Sequence, residues 1–362
     1  MSDPMTAGAI LDDGRIALGI NLQAEHCRHN DAPVTARIVQ AQVALMDSDT
    51  ACGGRIRDWQ GLPLEDALPL RLAGGFHHLL LTGADRRLEP VYRGEVTDQS
   101  DVDAIVLAVT ADHDARLLGW FDSPPQTNEA GRSASFMAGL MWLSGQLGPR
   151  FELNELGASA GVNTMMERYS YDLGGVRAGP PDSPMHIVPE WRGPPPPDHP
   201  VEIVTIRGCD QAPVDLSDPE AALRVKSYVW PENALRLQRI DAAIALATER
   251  APDVVKADAA DWVDQRLASP QDAGVTRVIH HSIVWQYIPA DRREHIVAAI
   301  AAAGANATPD KPLAWMMLET NRETFRHELR IRHWPGCGEE GGEWHLLGQA
   351  QAHGAWVEWY GD

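Results

Sequence analysis

The spacing of apolar residues changes near residue 150, and this change constrains the fold more than any other feature of the chain. Up to about Gly148, apolar residues recur three and four positions apart, as in ARIVQAQVALM and GRSASFMAGLMWLSGQLG, which is typical of helices with one buried face. From Phe151 onward, short β-prone runs alternate with longer helical ones, which predicts a mostly parallel sheet with helices on its faces. We therefore expect a helical domain over residues 1–148 and an α/β domain over residues 149–362.

The β-prone runs also predict how the sheet ends. They are FELNEL, VEIVTI, DVVKA, TRVIHHSIV, PLAWMML, EWHLLGQA and AWVEWY. Only QAHG separates the last two, which is too short for a crossover helix and predicts an antiparallel pair. Five parallel strands followed by a terminal antiparallel hairpin give a seven-stranded, Rossmann-like sheet of the methyltransferase type. The proline-rich RGPPPPDHP fits neither a helix interior nor a central strand, so it predicts a surface connection.

The first β-prone run leads into GASAG, which satisfies two functional patterns at once. Read as G-x-S-x-G, it makes Ser159 a hydrolase nucleophile on a sharp turn between a strand and a helix. Read as an acid followed by spaced glycines, it makes Glu155, Gly157 and Gly161 the first loop of a nucleotide-binding half-sheet, as in methyltransferases that use S-adenosylmethionine. Both patterns require a strand before the loop and a helix after it.

The place of this motif in the chain favours the nucleotide interpretation. A hydrolase elbow follows several earlier strands and an upstream oxyanion loop, whereas this motif opens the sheet. The histidines that could complete a hydrolase triad, His345 and His353, fall in the predicted terminal hairpin. Two alternatives remain: a hydrolase acting through Ser159, and a non-catalytic nucleotide-binding or interaction protein on the same fold. We expect a helix from about Ala160 to Tyr169, with its N–H groups and positive dipole end directed at a ligand.

Two further acids follow predicted strands, and ligands of open α/β sheets bind at strand carboxyl ends. Asp210 is a candidate acceptor for ribose hydroxyls, and Asp258 for an adenine amino group, with the N–H of Ala259 beside it. Each acid also has a structural alternative, since Asp210 can form a turn and Asp258 can cap a helix. Gly161 and Asp210 are 49 positions apart, compared with about 20 in a simple unit, so an insertion is expected. The predicted cofactor-binding residues are Glu155, Gly157, Ala158, Gly161, Asp210, Asp258 and Ala259.

Composition argues against several classes of function. The chain has 51 acidic and 31 basic residues and a formal charge of −20, which repels a nucleic-acid backbone in the absence of a basic stripe. It has no apolar run of roughly 20 residues and no signal peptide in MSDPMTAG, so we expect a cytoplasmic protein without a membrane partner. Its four cysteines are scattered, and the FHHL and IHHS pairs lack further ligands at metal spacing. We predict no bound metal.

Several motifs resemble a bacterial family of unknown function. They are QTNEAGR, ELGASAGVN, ERYSYDLGG, DLSDP with VWPE, and HHSIVWQYIP, and they extend from about Pro124 to the C-terminus. Members of that family look like a helical N-terminal half joined to a half that resembles S-adenosylmethionine-dependent methyltransferases. The resemblance implies a fold and a cofactor, S-adenosylmethionine, and it brings no substrate.

The fourth predicted strand carries candidate catalytic residues at its end. His280 and His281 are adjacent, so they point to opposite faces of the sheet, and we favour His281 as a general base because it lies nearer the strand end. A structural histidine is the alternative. Glu319, after PLAWMML, is a second candidate base, with capping as its alternative, and Trp285 and Tyr287 are candidate substrate contacts.

The segment QTNEAGR precedes the first strand and is unusually polar for a helix start. Asn128, Glu129 and Arg132 could cover the cofactor or hold a small acceptor, Arg132 by a two-point contact with a carboxylate. The alternative is a cluster of caps and ion pairs. We expect Glu129 and Arg132 to face the cleft between the two halves instead of bulk solvent and, because an exposed ion pair contributes only about 0–1 kcal/mol, to matter for binding more than for stability. The sequence leaves the acceptor and the oligomeric state open.

Overall fold

The computed structural model describes residues 13–126, 128–336 and 342–361. The chain divides into two compact units: Met1–Thr127 with Pro219–Gln238, and Asn128–Asp218 with Arg239–Asp362. The sequence suggested a boundary after residue 148, whereas this division groups residues 128–148 with the sheet and returns a later segment to the first unit.

Helices occur in both units. In the described residues the α-helices are α1 (Asp13–His29), α2 (Pro33–Gln40), α3 (Gln42–Leu45), α4 (Ala51–Arg57), α5 (Leu68–Leu81), α6 (Glu89–Tyr92), α7 (Gln99–Leu118), α8 (Ser133–Leu147), α9 (Pro219–Ser227), α10 (Ala234–Glu249), α11 (Ala259–Ala268) and α12 (Ala290–Ala305). Short 3-10 helices are η1 (Arg86–Leu88), η2 (Ala130–Arg132), η3 (Asn163–Arg168) and η4 (Trp285–Tyr287).

All strands of the described chain lie after α8. They are β1 (Arg150–Leu156), β2 (Ser170–Leu173), β3 (Val176–Ala178), β4 (His186–Ile187), β5 (Glu190–Arg192), β6 (Glu202–Asp210), β7 (Val254–Lys256), β8 (Thr276–Ser282), β9 (Leu313–Thr320), β10 (His327–Trp334), β11 (His345–Ala350) and β12 (Trp356–Trp359).

The described residues of the first unit form helices and loops and contain no strand, as the apolar spacing predicts. In α5, Leu72, Phe76 and Leu79 are fully buried, which gives that helix one apolar face. The later segment of this unit, Pro219–Gln238, contributes a helix cap. Both carboxylate oxygens of its Glu232 accept hydrogen bonds at the start of α2. The donors are Val34 N at 2.6 Å, Thr35 N at 2.8 Å and the Thr35 hydroxyl at 2.7 Å.

The second unit is built on a nine-stranded sheet of order β5-β12-β11-β10-β9-β8-β1-β6-β7. The five strands β7, β6, β1, β8 and β9 pair in parallel, which confirms the predicted mostly parallel sheet. The predicted antiparallel pairing of β11 with β12 is also confirmed. The predicted count of seven strands was wrong. The pattern missed β10, where charged residues alternate with the buried Leu329 and Ile331, and the short β5, which pairs with β12.

An insertion separates β1 from β6, as the spacing of Gly161 and Asp210 predicts. It contains a second, three-stranded sheet of order β3-β2-β4, then β5 and the mostly exposed proline-rich segment.

The predicted helix from Ala160 to Tyr169 was wrong, because the structure has only the six-residue η3 there. Tyrosine hydroxyls take up carbonyls that a longer helix would use, since Tyr169 donates to Val162 O and Tyr171 donates to Met166 O at 2.9 Å. The chain then enters β2, and a helix dipole directed at a ligand does not follow from this geometry.

Helix α8 packs against one face of the sheet. A β-carbon on Gly139 would lie 2.7 Å from the Met316 sulfur, so glycine allows the close approach of helix and strand. Nearer the start of α8, the ring of Phe136 contacts that of His280 on β8 at 5.0 Å. The first turn of α8 therefore lies towards the carboxyl end of β8.

Two other findings concern the chain as a whole. None of the helices in the described ranges has the length and apolar character needed to cross a membrane. Cys27, Cys52 and Cys209 are buried free thiols, while Cys337 lies outside the described residues.

Candidate ligand site at the strand carboxyl ends

The loop after β1 has a left-handed backbone at three positions: Gly157 (φ +68°), Ser159 (φ +53°) and Gly161 (φ +69°). A β-carbon on Gly157 would lie 2.3 Å from a methyl of Val284, and one on Gly161 would lie 2.5 Å from Pro252. Backbone conformation and packing thus both require the two glycines. Ser159 adopts a conformation that L-residues other than glycine rarely take.

Hydrogen bonds within the protein fix the shape of this loop. Four of its N–H groups donate to protein acceptors, two of which are side chains distant in sequence. The pairs are Ala158 N to Cys209 O at 2.9 Å, Ser159 N to Asp210 Oδ2 at 2.9 Å, Gly161 N to Ala158 O at 2.8 Å, and Val162 N to Asn128 Oδ1 at 2.6 Å. These N–H groups are therefore not free to form an anion-binding nest.

Asp210 ends β6 and connects the glycine loop to the neighbouring strands. Its Oδ2 accepts from Ser159 N, and its Oδ1 accepts from Ala212 N at 2.8 Å. Its carbonyl also accepts from Ala257 N at 3.0 Å, just beyond β7. The side chain is partly exposed, and each carboxylate oxygen has a second lone pair. Asp210 thus has the structural role suggested by its turn position and still has acceptor capacity.

Asp258 caps α11, which is the structural alternative that the sequence offered. Its carboxylate accepts from Ala260 N at 2.8 Å and Asp261 N at 3.3 Å and pairs with Arg292. Burial would raise the pKa of Asp258, but the Arg292 guanidinium and the two N–H groups outweigh it and hold the pKa below its usual range. The side chain is 30% exposed, and Ala259 follows it as the first residue of α11.

Glu155 is enclosed within the second unit, with 2% exposure. The Thr164 hydroxyl donates to its Oε2 at 2.6 Å. Burial raises the pKa of Glu155 to about 8; the Thr164 hydroxyl and the Arg132 charge oppose this rise, and the Asp210 charge adds to it. A carboxyl that is enclosed and protonated at neutral pH supports the loop from inside and does not contact solvent.

His281 and Glu319 bond to each other and hold the turn after β8. The indole N–H of Trp315 donates to His281 Nε2 at 3.0 Å, and because an indole can only donate, the His281 proton must be on Nδ1. Nδ1 then donates to Glu319 Oε1 at 2.7 Å, which also accepts from the N–H groups of Val284 and Trp285. These bonds correspond to the structural alternatives for both residues and leave His281 no free ring nitrogen.

His280 lies on the opposite face of the sheet, and the sequence reasoning did not select it. It is fully buried, and neither ring nitrogen forms a hydrogen bond with a described residue. Burial lowers the pKa of His280 to about 3, and the neighbouring His281 adds to this effect. In the parallel register His280 is paired with Glu155, so the two side chains share a face. Sequence gives the alternation of faces, but it does not give the register that brings these two residues together.

The polar segment before α8 contacts the same region. Asn128 binds the glycine loop at Val162 N, and Glu129 and Arg132 are buried, with 4% and 7% exposure. The Arg132 guanidinium donates to Ala352 O at 2.8 Å and lies 3.5 Å from both oxygens of Ser282, the last residue of β8. Because Arg132 is buried, the free energy of an exposed ion pair, about 0–1 kcal/mol, does not apply to its contacts.

The two aromatic candidates, Trp285 and Tyr287, differ in their surroundings. Trp285 stacks on His281 with ring centroids 4.9 Å apart, so it belongs to the cluster that holds the turn after β8. Tyr287, in the same 3-10 helix, is 73% exposed. Thr127, within QTNEAGR, lies outside the described residues. Within the described ranges, no group of three or more His, Cys, Asp and Glu residues could hold a metal ion.

Comparison with known proteins gives one match. A family described as "Uncharacterized protein conserved in bacteria (DUF2332)" matches residues 19–359. No curated protein and no solved structure matches the chain.

Proposed function

Because the chain belongs to this uncharacterised bacterial family, whose description names no activity, we propose from the geometry of the second unit that it is an S-adenosylmethionine-dependent methyltransferase. The observation that carries this proposal is the position of Asp210. It ends β6, bonds to the glycine loop that follows β1, and accepts from Ala257 just after β7. Asp258 follows one residue later.

The strand order supports a nucleotide site at this edge. The parallel strands, numbered by their order along the chain, are arranged 3-2-1-4-5 from β7 to β9, which is the arrangement of doubly wound nucleotide-binding sheets. In such sheets the ligand binds outside the strand carboxyl ends, where strand order reverses. Here that point lies between β1 and β8.

The loop argues against a nucleotide phosphate. Phosphate loops offer backbone N–H groups to the anion, but four N–H groups of this loop already donate to protein acceptors. Asp210 and Asp258 add negative charge close by. A nucleoside without phosphates meets neither obstacle, which favours S-adenosylmethionine over a dinucleotide or a nucleoside triphosphate.

The residues present fit the cofactor in part. Asp210 and Asp258 are partly exposed and retain lone pairs, so they suit ribose hydroxyls and an adenine amino group. Glu155 does not suit such a contact because it is enclosed. When bound, the cofactor supplies an electrophilic methyl group. The chain itself has to orient the acceptor and exclude water, and the buried Arg132 suits a small acceptor that carries a carboxylate.

A hydrolase acting through Ser159 is the rival function. Its left-handed backbone resembles the strained turn of a nucleophile elbow. However, the structure records no hydrogen bond between the Ser159 hydroxyl and any histidine of the described residues, although a serine nucleophile requires a base. A fluorophosphonate probe that labels the wild-type protein but not Ser159→Ala would favour the hydrolase.

Calorimetry tests the cofactor. We expect the purified protein to bind S-adenosylmethionine and its demethylated product, and not NAD or ATP. Asp210→Asn and Asp258→Asn should each weaken binding by about 10- to 100-fold, the value of a hydrogen bond to a charged group. Asn also caps helices well, so Asp258→Asn keeps the start of α11. Asp264→Asn is the matched control, since Asp264 lies on α11 and is half-exposed.

Binding and melting temperature should be measured on the same samples. Binding of NAD or ATP with no binding of either adenosyl compound would reject the proposed cofactor. Equal affinity in all three variants would reject the assigned site. Production of the demethylated cofactor in the presence of a cell extract, lost without the extract, would separate an enzyme from a protein that only binds the cofactor.

A further inference from the structure

The adjacent histidines of β8 differ in how completely their hydrogen bonds are satisfied. His281 uses both ring nitrogens, one towards Glu319 and one towards Trp315. His280 uses neither with any described residue, although it has no exposed surface. Buried polar atoms in folded proteins nearly always have a partner, so each exception calls for a specific explanation, such as a bound ligand or water.

The surroundings of His280 are both polar and enclosed. Glu155 is its register partner on β1, and Phe136 of α8 contacts the imidazole ring edge-on. Ser282, two residues further along β8, is on the same face and lies 3.5 Å from the Arg132 guanidinium. The buried polar groups on this face therefore lie beneath the first turn of α8 and η2, at the carboxyl end of β8.

We propose that His280, and not His281, contacts the methyl acceptor, and that its ring nitrogens bind a group that both donates and accepts a hydrogen bond. The neutral imidazole offers one N–H and one lone pair, which matches a hydroxyl or a protonated carboxyl group. This inference rests on the proposed function only in naming the ligand as the methyl acceptor. Because His280 is fully enclosed, entry requires movement of residues that cover it.

The first test compares His280→Leu with His281→Leu in thermal unfolding without ligand. Leucine at 280 removes two unsatisfied polar atoms, so we expect an unchanged or higher melting temperature. Leucine at 281 removes the bond to Glu319 and leaves the indole N–H of Trp315 without its acceptor, so we expect a clear decrease. A decrease at 280 as large as that at 281 would mean that His280 has a stabilising partner in the protein, and it would overturn the proposal. If His280→Leu does not fold, His280→Gln takes its place in this comparison, because glutamine keeps one hydrogen-bond donor and one acceptor.

The second test follows the two imidazoles by NMR in protein labelled with ¹⁵N-histidine. The probes are S-adenosylhomocysteine, lactate, glycerate and salicylate. We expect a hydroxy acid to shift the His280 ring signals and to leave those of His281 unchanged. A shift confined to His281, or no shift of His280 with any hydroxy acid, would refute the proposal.

A third measurement separates this inference from the proposed cofactor. His280→Leu should bind S-adenosylmethionine with wild-type affinity and lose about 100-fold or more in release of the demethylated product. If the wild type binds no adenosyl compound but a hydroxy acid still shifts His280, the ligand position stands and the methyltransferase proposal fails. If His280→Leu retains full turnover, the cofactor assignment stands and His280 has no contact with the acceptor.

Discussion

Ser159 provides a test that separates backbone strain from chemistry at one position. Its φ of +53° lies in the left-handed region, and its N–H is held by Asp210. The structure records no hydrogen bond of its hydroxyl with a described residue. Ser159→Ala removes the hydroxyl and keeps the β-carbon, while Ser159→Gly removes both. The difference between the two variants therefore isolates the strain.

The expected magnitude follows from two opposing terms. A left-handed backbone costs an L-residue roughly 1–2 kcal/mol, and glycine loses about 0.5–1 kcal/mol more conformational freedom on folding. The net effect favours glycine by about 0.5–1 kcal/mol. We expect Ser159→Gly to melt about 1–3 °C higher than Ser159→Ala, and Ser159→Ala to match the wild type within about 0.5 kcal/mol.

The assay is thermal unfolding of all three proteins, with calorimetry of S-adenosylmethionine binding on the same samples. A lower melting temperature for Ser159→Gly than for Ser159→Ala would refute the strain argument, because it would mean that the left-handed backbone costs serine nothing. Binding should survive in both variants, since the Asp210 bond uses only the backbone of residue 159. An esterase activity that disappears in both variants would instead support the hydrolase.

Three further outcomes are expected. Burial raises the pKa of Glu155 from 4.5 to about 8, so its contribution to stability is full below pH 4.5 and is lost as pH rises through about 8. At about 1.4 kcal/mol per pKa unit, the contribution of Glu155 to stability is at most about 5 kcal/mol. Glu155→Gln should therefore flatten the decline in melting temperature between pH 4.5 and about 8. A decline of equal slope in the wild type and the variant would mean that Glu155 does not cause it. Arg132→Ala should lower the melting temperature by several degrees, since Arg132 is buried, and it should also weaken acceptor-dependent turnover. A loss of turnover without any loss of stability would mean that Arg132 serves only to bind the ligand. Trp315→Phe removes the donor to His281 Nε2 and should shift the Nε2 signal of His281 in ¹⁵N NMR; an Nε2 signal identical to that of the wild type would mean that the indole bond is absent in solution.

The sequence predicted the sheet where local patterns determine it. The parallel strands carry apolar runs, and the short QAHG connection requires the antiparallel pair β11 and β12. The pattern failed where the side chains of one strand alternate between charged and apolar, as in β10. It also failed at η3, because the two tyrosine hydroxyls that end the helical turn belong to Tyr169, just before β2, and to Tyr171, within β2, a strand that the sequence did not indicate.

The candidate site was predicted less completely than the fold. Spacing identified the glycine loop and the acids that follow β6 and β7, but it could not reveal that Asp210 and Asn128 bind that loop. Those contacts join residues 51 and 34 positions apart. The choice between His280 and His281 depends on the register of β8 against β1 and on the partners Trp315 and Glu319, and neither can be read from a single strand.

The cap that Glu232 forms on α2 affects the order in which the chain can fold during synthesis. Domains generally fold from the N-terminus as the ribosome releases them. The first unit, however, includes Pro219–Gln238, so it cannot be completed until the ribosome has also released residues 128–218. We therefore expect a fragment that stops at residue 127 to leave the N–H groups of Val34 and Thr35 without their acceptor and to need the missing peptide supplied in trans.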